Sequence, residues 1–147
     1  MPGITIREAR PDEHRAVAVL FRLVRERCLP YLPRLHEPAE DAAFFRDHVF
    51  TESTIWIAES EAILGFCAFR PGWVDHLYIH PDCHAQGLGR ALLARAQAAQ
   101  PILQLWVFQQ NHHAIRFYEA AGFRRVEATD GARNEEKTPD ACYRWDR

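Results

Sequence analysis

The stretch HPDCHAQGLGRALL, residues 80–93, places two glycines directly before a run of helix-forming residues. Glycine weakens the start of a helix, so the presence of Gly87 and Gly89 needs a reason. A helix N-terminus presents unpaired N–H groups and the positive end of the helix dipole, and both attract anions. Glycines let an anion come close to bare backbone. The stretch therefore predicts a phosphate-binding loop that opens a helix.

Strand and helix patterns surround this loop in a regular order. Apolar runs predict strands at 4–9, 54–59, 63–69, 73–81, 102–108, 124–130 and 141–146. Helical spacing with start and stop residues predicts helices from Pro11, at about 39–50, from Gly87 to Gln100 and at 111–123, the last ended by a left-handed Gly122. A strand, a helix and a strand between 73 and 108 form a βαβ unit, whose strands should be parallel and connected right-handedly. The predicted fold class is α/β (α+β), with a mixed, mostly antiparallel sheet, a central parallel pair and helices on both faces.

Composition limits the class of protein. The chain has 147 residues, of which 48% are hydrophobic and 26% are charged, and no repeat or linker divides it, so we expect a single domain over 1–147. A formal net charge of -2 provides no overall basic field for nucleic acid. No stretch approaches the roughly 20 apolar residues that span a bilayer, and the first residues lack the apolar core of a signal peptide. We therefore expect a soluble, cytoplasmic protein with no nucleic-acid or membrane partner.

The cysteines and histidines include residue types that bind metals. Cys28, Cys67, Cys83 and Cys142 lie far apart without a CxxC pair, which indicates reduced thiols. His76, His80, Cys83 and His84 fall close together, and zinc accepts these ligand types. However, Pro81 interrupts any helix there, and the segment before it alternates like a strand. We expect no metal, and a zinc protein built on these four residues is the alternative.

Two other phosphate-binding loops do not fit. A Walker A loop needs a lysine directly after its glycines, and the only lysine, Lys137, lies far from the loop. A dinucleotide-binding fingerprint needs a third small residue where the chain has Leu92, and an acidic residue where Gln109 and Gln110 follow the next strand.

A third kind of loop fits. HAQGLG, residues 84–89, follows a strand and opens a helix, and it resembles the pyrophosphate loop of the GNAT N-acetyltransferases, Arg/Gln-x-x-Gly-x-Gly/Ala. NHHAIRFYEAAGF, residues 111–123, resembles the second signature of that family, Asn-x-x-Ala-x-x-Phe-Tyr-Glu-x-x-Gly-Phe, at every fixed position. One departure is His84, which stands where the family has arginine or glutamine.

The resemblance implies the acyl-CoA N-acyltransferase fold, acetyl-CoA as cosubstrate and no metal. Backbone N–H groups of the loop would bind the pyrophosphate, and the strand before it would pair with the pantetheine arm as with an added strand. Asn111 matches the family asparagine that contacts this arm, although it also suits a helix cap. The side chain of Arg90 would add a charge-assisted contact or be solvated. The implied cosubstrate-binding residues are Leu77, Tyr78, Ile79, Ala85, Gln86, Gly87, Leu88, Gly89, Arg90, Asn111 and Tyr118.

The implied reaction is direct attack of an amine on the thioester carbonyl, without an acyl-enzyme. Tyr118 matches the family tyrosine that protonates the leaving sulfur; a core aromatic or a hydrogen bond to the sulfur is the alternative. An alkylammonium, with a pKa of ~10.4, must first lose a proton. Some relatives carry a glutamate base where this chain has Trp106. Asp75 and His76 are the local candidates; they should point to opposite faces, so at most one faces the amine, and His76 has the better intrinsic pKa. An ordered water chain is an alternative to either base, and a structural role is the alternative for each of the two residues.

The acceptor should be a small-molecule or peptide amine. In this fold it enters between the segments LPYLPRLHEPAED (29–41) and TDGARNEEKTPD (129–140). Tyr31 and Leu35 lie in the first segment. Acidic residues of the second would suit a cationic amine, or would simply be solvated; they are Asp130, Glu135, Glu136 and Asp140. The resemblance allows a homodimer, and the alternative function is a CoA-binding sensor or interaction module without turnover.

Overall fold

The computed structural model describes residues 3–147 and contains a seven-stranded sheet in the order β1-β2-β3-β4-β5-β7-β6. The strands are β1 (Thr5–Glu8), β2 (Thr54–Glu59), β3 (Ile63–Arg70), β4 (Trp73–Ile79), β5 (Ile102–Phe108), β6 (Arg124–Ala128) and β7 (Asp140–Asp146). The helices are α1 (His14–Cys28), α2 (Pro38–Phe44), α3 (Phe50–Glu52), α4 (Leu88–Ala99) and α5 (His112–Ala120). A π-helical segment, Phe45–Val49, joins α2 to α3. Between residues 3 and 147, no helix combines the length and the apolar character needed to cross a bilayer.

The sheet confirms the predicted fold class. β4 and β5 are parallel, and the other neighbouring strands are antiparallel. Gly122 has a φ of +97°, as expected for the residue that ends α5. The structure differs from the prediction mainly at ends of elements. β4 stops at Ile79 because Pro81 begins a 3₁₀ turn, Pro81–Cys83.

Helices cover both faces of the sheet because side chains alternate along its strands. Cys67 of β3 belongs to the core that contains Leu92 and Leu93 of α4. Its neighbour Phe66 belongs to a second core, with Val17 of α1. All five side chains are essentially inaccessible to solvent. Two apolar layers therefore hold α4 and α5 on one face, and α1 and the helix pair α2–α3 on the other.

The parallel strands β4 and β5 diverge. Within the described chain they pair at one position, Trp73 with Gln104, and the Gln104 N–H donates to the Gly72 carbonyl at 2.8 Å. Beyond this point β4 continues to Ile79 without a β5 partner. The gap leaves backbone N–H and C=O groups of β4 free to bind an extended ligand.

A β-bulge interrupts β4 near its middle. Ala68 of β3 pairs with His76 and Phe69 pairs with Val74, so Asp75 has no partner on β3. An extra residue of this kind disturbs the strict alternation of side chains. The bulge lies where β4 borders a large cleft, and it sets the direction of the Asp75 and His76 side chains.

Candidate active site

The loop before α4 has the backbone geometry of an anion site. Ala85 and Gly87 have φ values of 66° and 79°, both in the left-handed region. The Gly87 carbonyl accepts the Ala91 N–H at 3.1 Å as the helix begins. The N–H groups of Leu88, Gly89 and Arg90 precede this bond and have no acceptor inside the helix. The loop therefore presents several free donors at the positive end of a twelve-residue helix.

The two glycines of the loop serve different purposes. A Cβ atom at Gly87 would meet no other atom within 4 Å, so the space beside this residue is open to a ligand. A Cβ atom at Gly89 would lie 3.2 Å from Cζ of Phe117, which is too close for ordinary packing. Gly87 thus fits a bound pyrophosphate, whereas Gly89 lets α4 approach α5.

His84 connects the loop to its neighbours. Its Nε2 donates to the Ile79 carbonyl at 2.9 Å, and its ring stacks on that of His113 with centroids 5.6 Å apart. The imidazole therefore braces the loop against the end of β4 and the first turn of α5. The His80 N–H donates to the Leu64 carbonyl of β3 at 2.7 Å, so alternation along β4 turns the backbone groups of Tyr78 toward its partner Phe66 and those of Leu77 toward the gap. Because the Ile79 carbonyl already has a partner, Leu77 offers the freer backbone groups for a pantetheine arm, and Tyr78, which was also expected there, does not.

Two side chains that were expected at the cosubstrate make bonds within the protein. Asn111 caps α5, where its Oδ1 accepts the Ala114 N–H at 3.3 Å. Arg90 donates through Nη1 to the Ala120 carbonyl at 3.3 Å, at the negative end of α5. The helix-cap alternative is therefore realised for Asn111, whereas Arg90 is bonded to the end of α5 instead of being solvated, and a role of either side chain in binding stays a prediction.

Tyr118 lies in the apolar core close to the gap between β4 and β5. Its side chain is 9% exposed and packs edge-on against Phe117 and Phe123. Burial raises the pKa of the Tyr118 phenol far above its ordinary value, and the ionisable groups of Cys67 and Tyr78 raise it further. Tyr118 is consequently protonated at neutral pH and can donate a hydrogen bond to a developing thiolate.

A cleft of about 950 Å³ lies on the α1 face of the sheet. Both segments expected to surround the acceptor contribute to it, with Leu35 from the first and Glu135 and Glu136 from the second. Tyr78 of β4 and Trp106 of β5 reach it from the two diverging strands. Seven carboxylates but only three guanidinium groups line the cleft. Its walls therefore favour a cation.

Asp75 and His76 both line this cleft, so the expectation that they point to opposite faces was wrong. The bulge in β4 is the reason, because it breaks the alternation between the two residues. The Asp75 carboxylate is paired with Arg70 at 2.7 Å. Whether either group acts as the base stays a prediction.

The His76 ring is enclosed by aromatic side chains. Its centroid lies 5.7 Å from that of Phe21 and 5.5 Å from that of Phe45, and its Nδ1 is buried without a hydrogen-bond partner. Burial is the main cause that lowers the pKa of His76 to about 4; Asp75 opposes the shift and nearby Arg25 contributes to it. His76 is thus neutral at pH 7 and a weak base, so the favourable intrinsic pKa that supported it is lost on folding.

The depressed pKa of His76 predicts a pH-dependent stability. The unfolded imidazole protonates near pH 6.5, but the folded one only near pH 4, so the folded state loses stability as the pH falls through this window. Between pH 7 and pH 4 the wild type should lose up to about 3 kcal/mol more than His76→Phe, in which the aromatic packing is kept. Urea titrations of both proteins across this range measure the difference. Parallel curves would contradict the burial of a neutral imidazole.

Arg25 and the side chain of Tyr78 were missed by sequence reasoning. Arg25 of α1 pairs with Glu136 at 3.0 Å, and its guanidinium lies 5.3 Å from the centre of the Phe21 ring. Burial raises the pKa of Tyr78, although Arg25 opposes this shift. Phe21 and Arg25 are one helical turn apart on α1, so their spacing in the sequence already indicates that the two side chains share one face of the helix. A second pair, His36 with Glu135 at 2.5 Å, also joins the two walls.

The four residues weighed as zinc ligands are not brought together. His76 sits among phenylalanines, and His84 is bonded to the Ile79 carbonyl. In the part of the chain that the structure describes, no group of three or more His, Cys, Asp or Glu side chains could hold a metal ion.

Sequence comparisons agree with this geometry. The family described as "Acetyltransferase (GNAT) domain" matches residues 51–125, just over half of the chain. The peptidyl-lysine N-acetyltransferase YiaC of Escherichia coli (strain K12) is 30% identical over 102 residues, which is 68% of this chain and 68% of that protein.

Solved structures share the fold. The apo form of YjaB from Escherichia coli superposes with a TM-score of 0.78 at 24% identity and covers 97% of both chains. The putative acetyltransferase YncA from Salmonella typhimurium, solved with its cofactor acetyl-CoA, superposes with a TM-score of 0.71 at 18% identity, over 97% of this chain and 93% of that one.

Proposed function

The chain belongs to the GNAT acetyltransferase family, and on that premise we propose that it transfers an acetyl group from acetyl-CoA to the side-chain amine of a lysine in a protein or peptide. The enzyme would act as a single domain over 1–147, in the cytoplasm, through a ternary complex of both substrates.

The observation that carries this proposal is the divergence of β4 from β5 after Trp73. One end of the gap meets the free N–H groups of the loop before α4, which suit a pyrophosphate. On the other side of the gap lies the acid-lined cleft, to which Tyr78 of β4 and Trp106 of β5 both contribute. A thioester placed in the gap would face an amine in the cleft, and this arrangement is what direct transfer needs.

Acetyl-CoA supplies an activated acyl group whose leaving thiolate must be protonated. The backbone from Leu88 to Arg90 would hold the pyrophosphate, and the gap-facing backbone of Leu77 and the Ile79 N–H would align the pantetheine arm. Tyr118 would donate its phenolic proton to the leaving sulfur. With His76 neutral and Asp75 paired, ordered water is the simplest route by which the amine loses its proton.

A lysine acceptor is supported by the cleft and by the name of a relative. A lysine side chain carries a cationic head on an apolar stem. The cleft combines carboxylates with exposed apolar groups, since Leu35, Phe44 and Trp106 are 45%, 45% and 47% exposed. YiaC, at 30% identity, is named a peptidyl-lysine N-acetyltransferase.

Binding and turnover of the proposed substrates can be measured together. Acetyl-CoA at 100 times its Kd should stabilise the fold by about 2.7 kcal/mol, whereas NAD should not. A panel of lysine-containing peptides should then release free CoA thiol and gain one acetyl group by mass spectrometry. Stabilisation by acetyl-CoA without acetylation of any amine would instead favour the CoA-binding sensor. The absence of any stabilisation would remove the acetyltransferase proposal.

A further inference from the structure

Glu136 differs from the other carboxylates of the acceptor cleft. Its side chain is 16% exposed, whereas that of its neighbour Glu135 is 57% exposed. Asp41 is similarly buried, but it is bound to Arg22 between α1 and α2. Glu136 instead lines both the cleft and the smaller cavity beside it, and it lies near Tyr78.

Arg25 holds one oxygen of Glu136 and leaves the other available. The Arg25 Nη2 donates to Oε2 at 3.0 Å, and its side chain is itself only 22% exposed. No hydrogen bond among the described residues engages Oε1 of Glu136. A partly buried carboxylate with one oxygen fixed and the other free is a preorganised acceptor for an ammonium group.

The loop that carries Glu136 is held by its own hydrogen bonds. The Asn134 amide donates to the Thr138 carbonyl at 2.7 Å and accepts the Thr138 N–H at 3.2 Å. Lys137 donates through Nζ to the Ala132 carbonyl at 2.8 Å. A Cβ atom at Gly131 would lie 2.3 Å from the Thr138 carbonyl carbon, so only glycine fits there. These bonds hold the loop in one conformation, which fixes the position of the Glu136 carboxylate.

We propose that Glu136, positioned by Arg25 and by the Asn134 bonds, binds the ammonium group of the acceptor lysine in the cleft. The free Oε1 accepts a hydrogen bond from the ammonium, and the methylene stem lies against Tyr78 and Trp106. This inference rests on the proposed function and adds the residue that selects a charged acceptor.

Glutamine at this position tests the proposal. Glu136→Gln should raise the KM for a lysine peptide about tenfold or more, with a smaller change in kcat, because the ammonium loses its charged partner. Acetylation of hydroxylamine, an amine that is uncharged near neutral pH, should be unaffected. Glu135→Gln should raise the KM less, since solvent screens its exposed carboxylate. Glu13→Gln removes a comparably buried carboxylate, 12% exposed and paired with an arginine, outside the cleft, and serves as the control.

The outcomes separate this inference from the proposed function. If the wild type acetylates lysine peptides and Glu136→Gln has an unchanged KM, the inference is wrong and the proposed function stands. If Glu136→Gln lost as much activity with hydroxylamine as with lysine peptides, Glu136 would have only a structural role and the inference would also be wrong.

Should the glutamine variant fail to fold, Arg25→Lys supplies a second test. It keeps the positive charge but loses the guanidinium geometry, and it should raise the KM for lysine alone. No effect of Arg25→Lys on either acceptor would then count against the inference. A wild type that binds acetyl-CoA and acetylates no lysine would refute the proposed function itself.

Discussion

Tyr118→Phe should lower kcat by about a hundredfold or more and leave the Kd for acetyl-CoA nearly unchanged, because general acid catalysis contributes about 10²–10⁴-fold. The substitution removes a hydroxyl group and keeps the ring that packs against Phe117 and Phe123. Without the hydroxyl, the thiolate must leave unprotonated or take a proton from water. Steady-state release of CoA thiol, together with isothermal titration of acetyl-CoA, separates the effect on chemistry from the effect on binding.

Tyr143→Phe is the matched control for this experiment. Tyr143 of β7 is 4% exposed and belongs to the same apolar core as Tyr118. The control loses the same hydroxyl group, but on a strand that does not border the gap beside β4. If both variants lost activity equally, the effect would come from the core. Full activity of Tyr118→Phe would remove Tyr118 from the role of proton donor.

Local signals were sufficient for the order of the elements. β2, β3, β5 and α5 are each specified by apolar periodicity or by a flanking residue, such as the left-handed Gly122. These properties depend on neighbours in sequence, and a single chain displays them directly. The prediction of a parallel pair at the βαβ unit needed only the handedness rule for such connections.

Several features of the candidate site depend on tertiary contacts and could not be predicted from the sequence. The bulge at Asp75 depends on how β4 pairs with β3, and no residue type in DHLY announces it. The low pKa of His76 follows from phenylalanines that arrive from α1 and from the segment before α3. The pairing of Arg25 with Glu136 joins residues that are 111 positions apart. In each case the deciding partner lies on another element.

The glycine loop shows how one sequence pattern can contain two physical reasons. From the sequence alone, Gly87 and Gly89 are predicted to have the same purpose, which is to let an anion approach the backbone. In the structure only Gly87 borders open space, while Gly89 is limited by Phe117. The sequence shows glycine at both positions, but only the folded structure shows that a neighbouring atom limits the side chain at Gly89 and that none does at Gly87.

Gly87→Ala should weaken acetyl-CoA binding by between about tenfold and a hundredfold, equivalent to the loss of one or two charge-assisted hydrogen bonds. The new methyl group would project into the space that the pyrophosphate is proposed to occupy. It would also penalise the left-handed backbone, at φ +79°, that leads into α4. Isothermal titration of acetyl-CoA measures the affinity, and chemical denaturation measures the stability of the same variant.

Gly72→Ala distinguishes lost binding from backbone strain. Gly72 has a φ of +82°, and a Cβ atom there would also meet nothing within 4 Å, so both variants should lose a similar stability of about 1–2 kcal/mol. Gly72 lies in the turn before β4, at the closed end of the strand pair, whereas Gly87 lies at the helix start that presents free N–H groups. Strain alone would therefore reduce stability in both variants and affinity in neither. A loss of affinity confined to Gly87→Ala would tie the pyrophosphate to this loop, and equal affinities would place the cosubstrate elsewhere.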